Sequence, residues 1–345
     1  MAIILVVLHH TIRWLLKEDL APEYWSQITE FLRTLRMPLF FGIAGVFGAS
    51  WIYAKSWRDL LSKKVLVLGW VYLLWCAIRW LFFLFAPRLG PEEPFYLSRL
   101  LAAPFWPTNE LWFLFALCFF FVVAKALRTV PVWLHLCLAG GVSVFAFSDL
   151  VDWPTEAYQG MASYYLFFLI GACFRGGILA KIPRIGPLSA VCIVACWAGA
   201  YIGARLAGIY DIGLVQVIVR VLGAVSGLLI ARVLAETLIF RGWLSWVGRN
   251  TMPIYVAHVL WIIPIVAFVS VGDRAVSPGL AAVLPVLICA AATSLGLLVW
   301  AASNRLHLQL YAPPARLAKA LAGKQPAVEA SSENIDTTRG VDTTR

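Results

Sequence analysis

Ten apolar stretches, each close to the length that crosses a bilayer, take up most of this 345-residue chain: 2–16, 36–54, 65–86, 110–127, 132–149, 162–179, 187–204, 213–234, 251–271 and 279–301. A helix rises 1.5 Å per residue and needs about 20 residues to cross the hydrocarbon core. Hydrocarbon offers no hydrogen-bond partner, so a spanning segment must satisfy its backbone internally, as a helix does. The pattern therefore predicts an all-α integral membrane protein of about ten transmembrane helices, with the lipid bilayer as its first partner. Composition agrees: 61% of residues are hydrophobic and 13% charged, with a mean hydropathy of +0.83. A soluble domain carries roughly 25% charged residues, which excludes a water-exposed globule.

The net charge of +10 does not imply nucleic acid, because the basic residues fall in short loops between apolar segments. Lys55, Arg58, Lys63, Lys64, Lys125, Arg128, Arg175, Lys181, Arg184, Arg232, Arg241 and Arg249 share one set of loops. The alternate set is acidic, with Glu18, Asp19, Glu23, Glu30, Glu92, Glu93, Asp149, Asp152, Glu156, Asp211 and Asp273. The positive-inside rule then gives an N-in, C-in chain. Residues 1–305 are expected to form one polytopic domain, and 306–345 a cytoplasmic tail, disordered from about Arg316 because AVEASSENIDTTRGVDTTR has almost nothing to bury. The N-terminus lacks a basic n-region and a small-residue cleavage site, so a cleavable signal peptide is not expected. All seven cysteines lie in apolar stretches without metal-ligand context. They read as packing thiols, with no metal site.

Ionisable groups inside spans are expensive, and are functional suspects by default. His9 and His10 lie in the first span, with Arg13 a helical neighbour of both. A fixed cation beside an imidazole favours the uncharged ring, the state a general base requires. A polar stripe hydrogen-bonded to other helices is the bland alternative. In the ninth span, Tyr255 and His258 share a face, with His258 about a dozen ångströms along the helix. Arg36, at the start of the second span, is expected to snorkel to the outer surface. Arg79 and Arg220 lie deeper and should face the bundle interior, a water cavity or an anion. Pro38 suits a helix first turn, and Gly42, Gly45 and Gly48 recur along one face. That face reads first as close helix packing, and second as room for a thin pantetheine arm. Pro104 and Pro107 mark an outer loop, followed by Asn109, Glu110 and Trp112 at the mouth of the fourth span. Trp112 reads as a belt anchor and Glu110 as a carboxylate snorkelling to water, or else as a group useful to an acceptor hydroxyl. His135 and His307 read as interfacial.

With these blocks in place the chain resembles the acyltransferase-3 family of bacterial integral-membrane O-acyltransferases. VVLHH, RMPLFFGIAG, ELWFLFAL, FFLIGACFRGG and WVGRNTMPIYVAH occur in the family's order. The resemblance implies transfer of an acetyl or succinyl group from cytoplasmic acyl-CoA, a co-substrate and not a resident cofactor, at the bacterial inner membrane. The acceptor is then a hydroxyl of a cell-surface or lipid-linked carbohydrate. The family's reactive histidine falls on His10, its carboxy-proximal histidine on His258, and the tryptophan of its fourth-span block on Trp112. The family's arginine upstream of the reactive histidine would precede Met1, so the chain either starts late or lacks it. The family's Ser-Gly in the second span is Ala44-Gly45 here. No soluble hydrolase-like domain is appended, which leaves the membrane unit to work alone, as a homodimer or with a partner in an envelope assembly. Lys55, Arg58, Lys63 and Lys64 are the densest basic group for CoA phosphates, or merely set topology. The competing class is a transporter of an envelope glycan or lipid precursor, although segments 1–5 and 6–10 show no inverted repeat.

Overall fold

The computed structural model describes residues 1–86, 97–107, 110–148, 150–237, 241–271 and 277–314. The predicted tail from Arg316 onward, and Asn109, lie outside these residues. The chain runs α1 (Ala2–Lys17), α2 (Tyr24–Tyr53), α3 (Trp57–Asp59), α4 (Leu66–Phe85), α5 (Leu97–Ala102), α6 (Trp112–Ala126), α7 (Val132–Phe147), α8 (Glu156–Cys173), α9 (Arg175–Lys181), α10 (Pro187–Leu206), α11 (Gly213–Glu236), α12 (Arg241–Arg249), α13 (Thr251–Ser270) and α14 (Pro278–Arg305). Among the described residues there is no strand. Every one of the ten apolar segments is helical. Among the described residues six helical runs are long and apolar enough to cross a membrane, seven if α8 and α9 count as one bent span, while α6 and α7 are apolar but shorter. The outer surface is greasy: Phe47, Phe85, Leu188, Leu206 and Phe268 are each at least 75% exposed. Apolar side chains facing outward over a helical bundle mark a membrane protein.

Three boundaries differ from the sequence reading. The second helix starts at Tyr24, twelve residues before Arg36, so Pro38 lies inside it and not in its first turn. Glu30 and Arg33 break the apolar run, which hid an amphipathic turn carried by Ile28, Phe31, Leu32 and Leu35. Pro38 has no amide to offer the Thr34 carbonyl. Gly223 of α11 packs directly there, since a Cβ on it would lie 2.5 Å from that oxygen. The third helix starts at Trp57 and passes through a π-helical turn, Leu60–Val65, which carries Lys63 and Lys64 out of the expected loop. Ser56 caps its start, accepting the Asp59 amide at 3.0 Å. The sixth span does not run straight through to 179: α8 and α9 meet at a 72° bend, where Gly176 and Gly177 offer little helix support.

The glycine face settles as packing. A Cβ on Gly45 would lie 2.0 Å from the Phe168 carbonyl oxygen, and one on Gly171 2.0 Å from that of Gly42. The backbones of α2 and α8 therefore touch, and no pantetheine arm fits between them. Gly48 meets the Phe121 ring in the same way. Beyond α14 the chain turns back onto α4: the indoles of Trp70 and Trp75 donate to the carbonyls of Gln309 and Leu310 at 3.4 and 3.0 Å. The start of the expected tail is thus part of the bundle.

Candidate active site

Helix α1 brings His9, His10 and Arg13 against α2 and α13. The imidazoles of His10 and His258 lie 5.0 Å apart between ring centroids, and those of His9 and His10 5.1 Å. His9 Nδ1 is hydrogen-bonded to Thr29 Oγ1 at 2.8 Å. His258 Nδ1 contacts the Tyr255 carbonyl oxygen at 2.5 Å. A carbonyl oxygen only accepts, so Nδ1 carries the proton, and in the neutral ring Nε2 keeps a lone pair. That Nε2 is buried and, among the described residues, without a hydrogen-bond partner. The His258 ring lies closer to the His10 ring than to the Tyr255 ring, 5.0 against 5.8 Å between centroids. A histidine with one nitrogen anchored and the other bare is arranged to exchange a proton.

His10 lies where two cavities of about 590 and 670 Å³ meet; both are also lined by Arg13, Trp112 and Glu156. The smaller runs past Trp14, Trp106 and Glu110. The larger runs past His9, Arg33, Arg36, Tyr164, Tyr201, Arg205, Asp211, Gln216 and Arg220. Cavities of this size suit a small-molecule site. Each wall comes from the same end of the bundle: the second half of α1, the first halves of α2, α8 and α11, and the last turn of α10.

Several expected residues meet here in unexpected roles. Arg36 does not snorkel outward: it is 4% exposed, because α2 extends well beyond it, and it lines the larger cavity. Trp112 is no belt anchor; its ring packs on Gly160, where a Cβ would lie 2.6 Å from Cη2, and on Phe41. Arg79 is not free for an anion, and Glu110 does not reach for water. They pair with each other, Arg79 Nη1 to Glu110 Oε2 at 2.5 Å and Nη2 to Oε1 at 3.3 Å. The Tyr255 hydroxyl donates to the Glu110 carbonyl and accepts the Phe113 amide at 3.3 Å. This ties the ion pair to the helix that carries His258. Arg220 is 3% exposed, donates to the Gln216 carbonyl at 3.2 Å and covers the Phe147 ring at 3.9 Å.

Lys55, Arg58, Lys63 and Lys64 line neither cavity. Lys55 lies 19 residues beyond Arg36 along nearly continuous helix, about 28 Å at 1.5 Å per residue. Lys63 pairs with Asp59 at 2.5 Å, and the Lys64 ammonium sits over the Phe121 ring at 5.4 Å. A chain of ring contacts joins the two ends: Tyr164 to Phe41, Phe41 to Phe120, Phe120 to Phe168, and Phe168 to Phe121. Those four phenylalanines are at most 1% exposed. His135, in the first turn of α7, packs inside the bundle. It is 5% exposed and bonded to the Tyr165 hydroxyl at 2.9 Å, because α7 packs on α8. His307 follows α14 and is exposed, in a left-handed turn at φ 53°.

Thr29, Arg33, Gln159, Ser163, Tyr164, Tyr201 and Gln216 escaped the sequence reading. A helical signal was available, since Thr29, Arg33 and Arg36 fall at i, i+4 and i+7, and Gln216 and Arg220 at i and i+4. Assigning 17–35 to a loop concealed the first.

The chain is thus a helical membrane bundle with a histidine pair beside two cavities. The acyltransferase-3 family, described as an acyltransferase domain, matches residues 1–302, and the chain belongs to it. It is therefore a membrane acyltransferase. No curated protein and no solved structure matches it.

Proposed function

We propose that this protein transfers an acyl group, acetyl or succinyl, from acyl-CoA to a hydroxyl of a cell-surface or lipid-linked carbohydrate at the bacterial inner membrane. The observation that carries the reading is the His10–His258 pair, drawn from opposite ends of the chain to centroids 5.0 Å apart beside two cavities. The chain would cross the bilayer ten times with both ends inside, which puts the cavities on the outer side and the lysine cluster on the inner. Lys55, Arg58, Lys63 and Lys64 would receive CoA phosphates there.

In this scheme the His10 imidazole accepts the acceptor's hydroxyl proton and the alkoxide oxygen attacks the thioester carbonyl. The tetrahedral intermediate expels CoA as thiolate, which takes the proton from the imidazolium. His258, its tautomer fixed by the Tyr255 carbonyl, offers Nε2 to His10 and orients it. His9 holds the helix face through Thr29. Arg13, at the junction of the cavities, is placed to stabilise the developing oxyanion. Glycan export, the rival reading, gains nothing from family membership.

Radiolabelled acetyl-CoA and purified protein in lipid nanodiscs test this. His10→Ala is expected to lower acyl transfer by about 10²- to 10⁴-fold, and His258→Ala comparably, with His9→Ala milder. Undiminished transfer by a well-folded His10→Ala variant sinks the assignment. Equal loss on His9→Ala would show that the pair acts as a unit and not through His10 alone.

A further inference from the structure

We propose that the larger cavity holds an anionic group of the acceptor, so that the hydroxyl acylated belongs to a carboxylate- or phosphate-bearing carbohydrate or headgroup and not to a neutral sugar. The inference rests on the acyl-transfer reading for the word acceptor, but its physical ground is separate. Five arginines line the cavity against three carboxylates, Glu30, Glu156 and Asp211. All three carboxylates are exposed. Among the described residues, the one ion pair within this set is Arg205 with Glu30, at 3.9 Å and with both side chains more than half exposed. Among the described residues the buried arginines, Arg36 and Arg220, have no carboxylate partner, and Arg220 Nε has no acceptor.

A buried cation without a counter-charge is strongly unfavourable. It persists where a ligand supplies the missing charge. The guanidinium fork matches the paired oxygens of carboxylate or phosphate. The Tyr164 hydroxyl lies near Arg33 and Arg220, and the Gln216 amide is already committed to the Phe147 carbonyl at 2.8 Å. In the acyl-transfer reading CoA phosphates go to the lysine cluster at the other end of the bundle, beyond the buried phenylalanines. Two sources of the anion remain chemically equivalent: the acceptor itself, and the terminal carboxylate of a succinyl donor. The assignment is to the acceptor, because the arginine set reaches from Arg13 beside His10 to the half-exposed Arg205 next to the exposed Asp211.

The test is binding of glucose 1-phosphate, glucuronic acid and glucose to the full-length protein in nanodiscs. Both anionic probes should bind at least about tenfold more tightly than glucose, and raised salt should erode that preference. Arg220→Gln and Arg36→Gln should abolish the preference, and Arg220→Lys restore part of it. Arg33→Gln, at the exposed mouth, gives a smaller loss and serves if the buried variants do not fold. His10→Ala should keep the preference for the anionic probes over glucose while losing transfer. Retained transfer by His10→Ala would sink the catalytic assignment and leave the anion result standing. Equal affinity for glucose and the anions, or a preference unchanged in all three Gln variants, overturns the proposal. So does selective loss of succinyl-CoA use relative to acetyl-CoA in Arg220→Gln without any probe preference, which would assign the anion to the acyl group.

Discussion

The Tyr255 hydroxyl joins three things at once: the Phe113 amide at the first turn of α6, the Glu110 carbonyl, and the face of α13 that carries His258. Removing it leaves a buried amide without an acceptor, at a cost of about 1–3 kcal/mol. Tyr255→Phe should lower the thermal unfolding midpoint accordingly, and reduce acyl transfer more than protein yield, because His258 loses a fixed neighbour. An unchanged midpoint would show that the hydroxyl is not contributing. Arg79 and Glu110 are 12% and 21% exposed, so removing either strands a largely buried charge. Arg79→Gln alone should cost about 3 kcal/mol. Adding Glu110→Gln should recover most of it, and additive losses in that cycle would contradict the pairing. At this scale the sequence placed Arg79, Arg220 and His258 inside the bundle, but put Arg36, Lys125 and His135 at its surface and gave none of them its company. Arg79 was legible as a deep cation, whereas its partner looked like an interfacial carboxylate because the two are 31 residues apart in sequence. His10 and His258 were legible as separate suspects, and only the packing of α1 on α13 makes them one site.

Helix α2 shows how far local pattern reaches. Its apolar second half was plain, but its first half was lost to loop because Glu30, Arg33 and Arg36 depress hydropathy while facing a cavity instead of lipid. Hydropathy measures burial in hydrocarbon and is blind to a water-filled interior. The glycine face, by contrast, was read correctly as packing, and that reading has a sharp consequence. A Cβ at Gly45 meets a carbonyl oxygen of α8 at 2.0 Å, while one at Gly140 in α7 meets nothing within 4 Å. Backbone cannot rotate away as a side chain can, so Gly45→Ala must part α2 from α8. It should destabilise the protein by about 1–3 kcal/mol or more. Gly140→Ala should be neutral or stabilise by about 0.5–1 kcal/mol, since it removes a helix glycine without a clash. Unfolding of both variants in the same detergent checks the pair, and equal effects would refute the close approach. Lys125, 1% exposed, donates to the carbonyls of Trp51, Ile52 and Lys55 at 3.4, 3.1 and 2.5 Å and so finishes the C-terminus of α2. Its sequence signature was that of a topology-setting loop lysine, which could not reveal a capping role made across helices.

At the scale of the whole molecule, polarity is segregated along the bundle axis. The arginine-lined cavities share one end with Glu30, Glu156 and Asp211, and Lys55, Lys63 and Lys64 lie toward the other, with buried phenylalanines between. Loop charge alone made that asymmetry legible. The cavity was not, since it arises from helices α1, α2, α8, α10 and α11 meeting, which no local pattern encodes. The asymmetry also poses the central demand on the chemistry, because donor and acceptor would arrive from opposite faces and meet at His10. Orientation is therefore the measurement on which the two-sided mechanism turns. In a variant with the seven native cysteines replaced and acyl transfer retained, Asp211→Cys and Lys63→Cys place single thiols at the two ends. A membrane-impermeant maleimide should label Asp211→Cys in cells with a permeabilised outer membrane, and Lys63→Cys only after the inner membrane is opened. The reverse pattern would place the arginine cavity on the cytoplasmic side. The cavity would then be the entry for CoA, and the lysines would lose any claim to its phosphates.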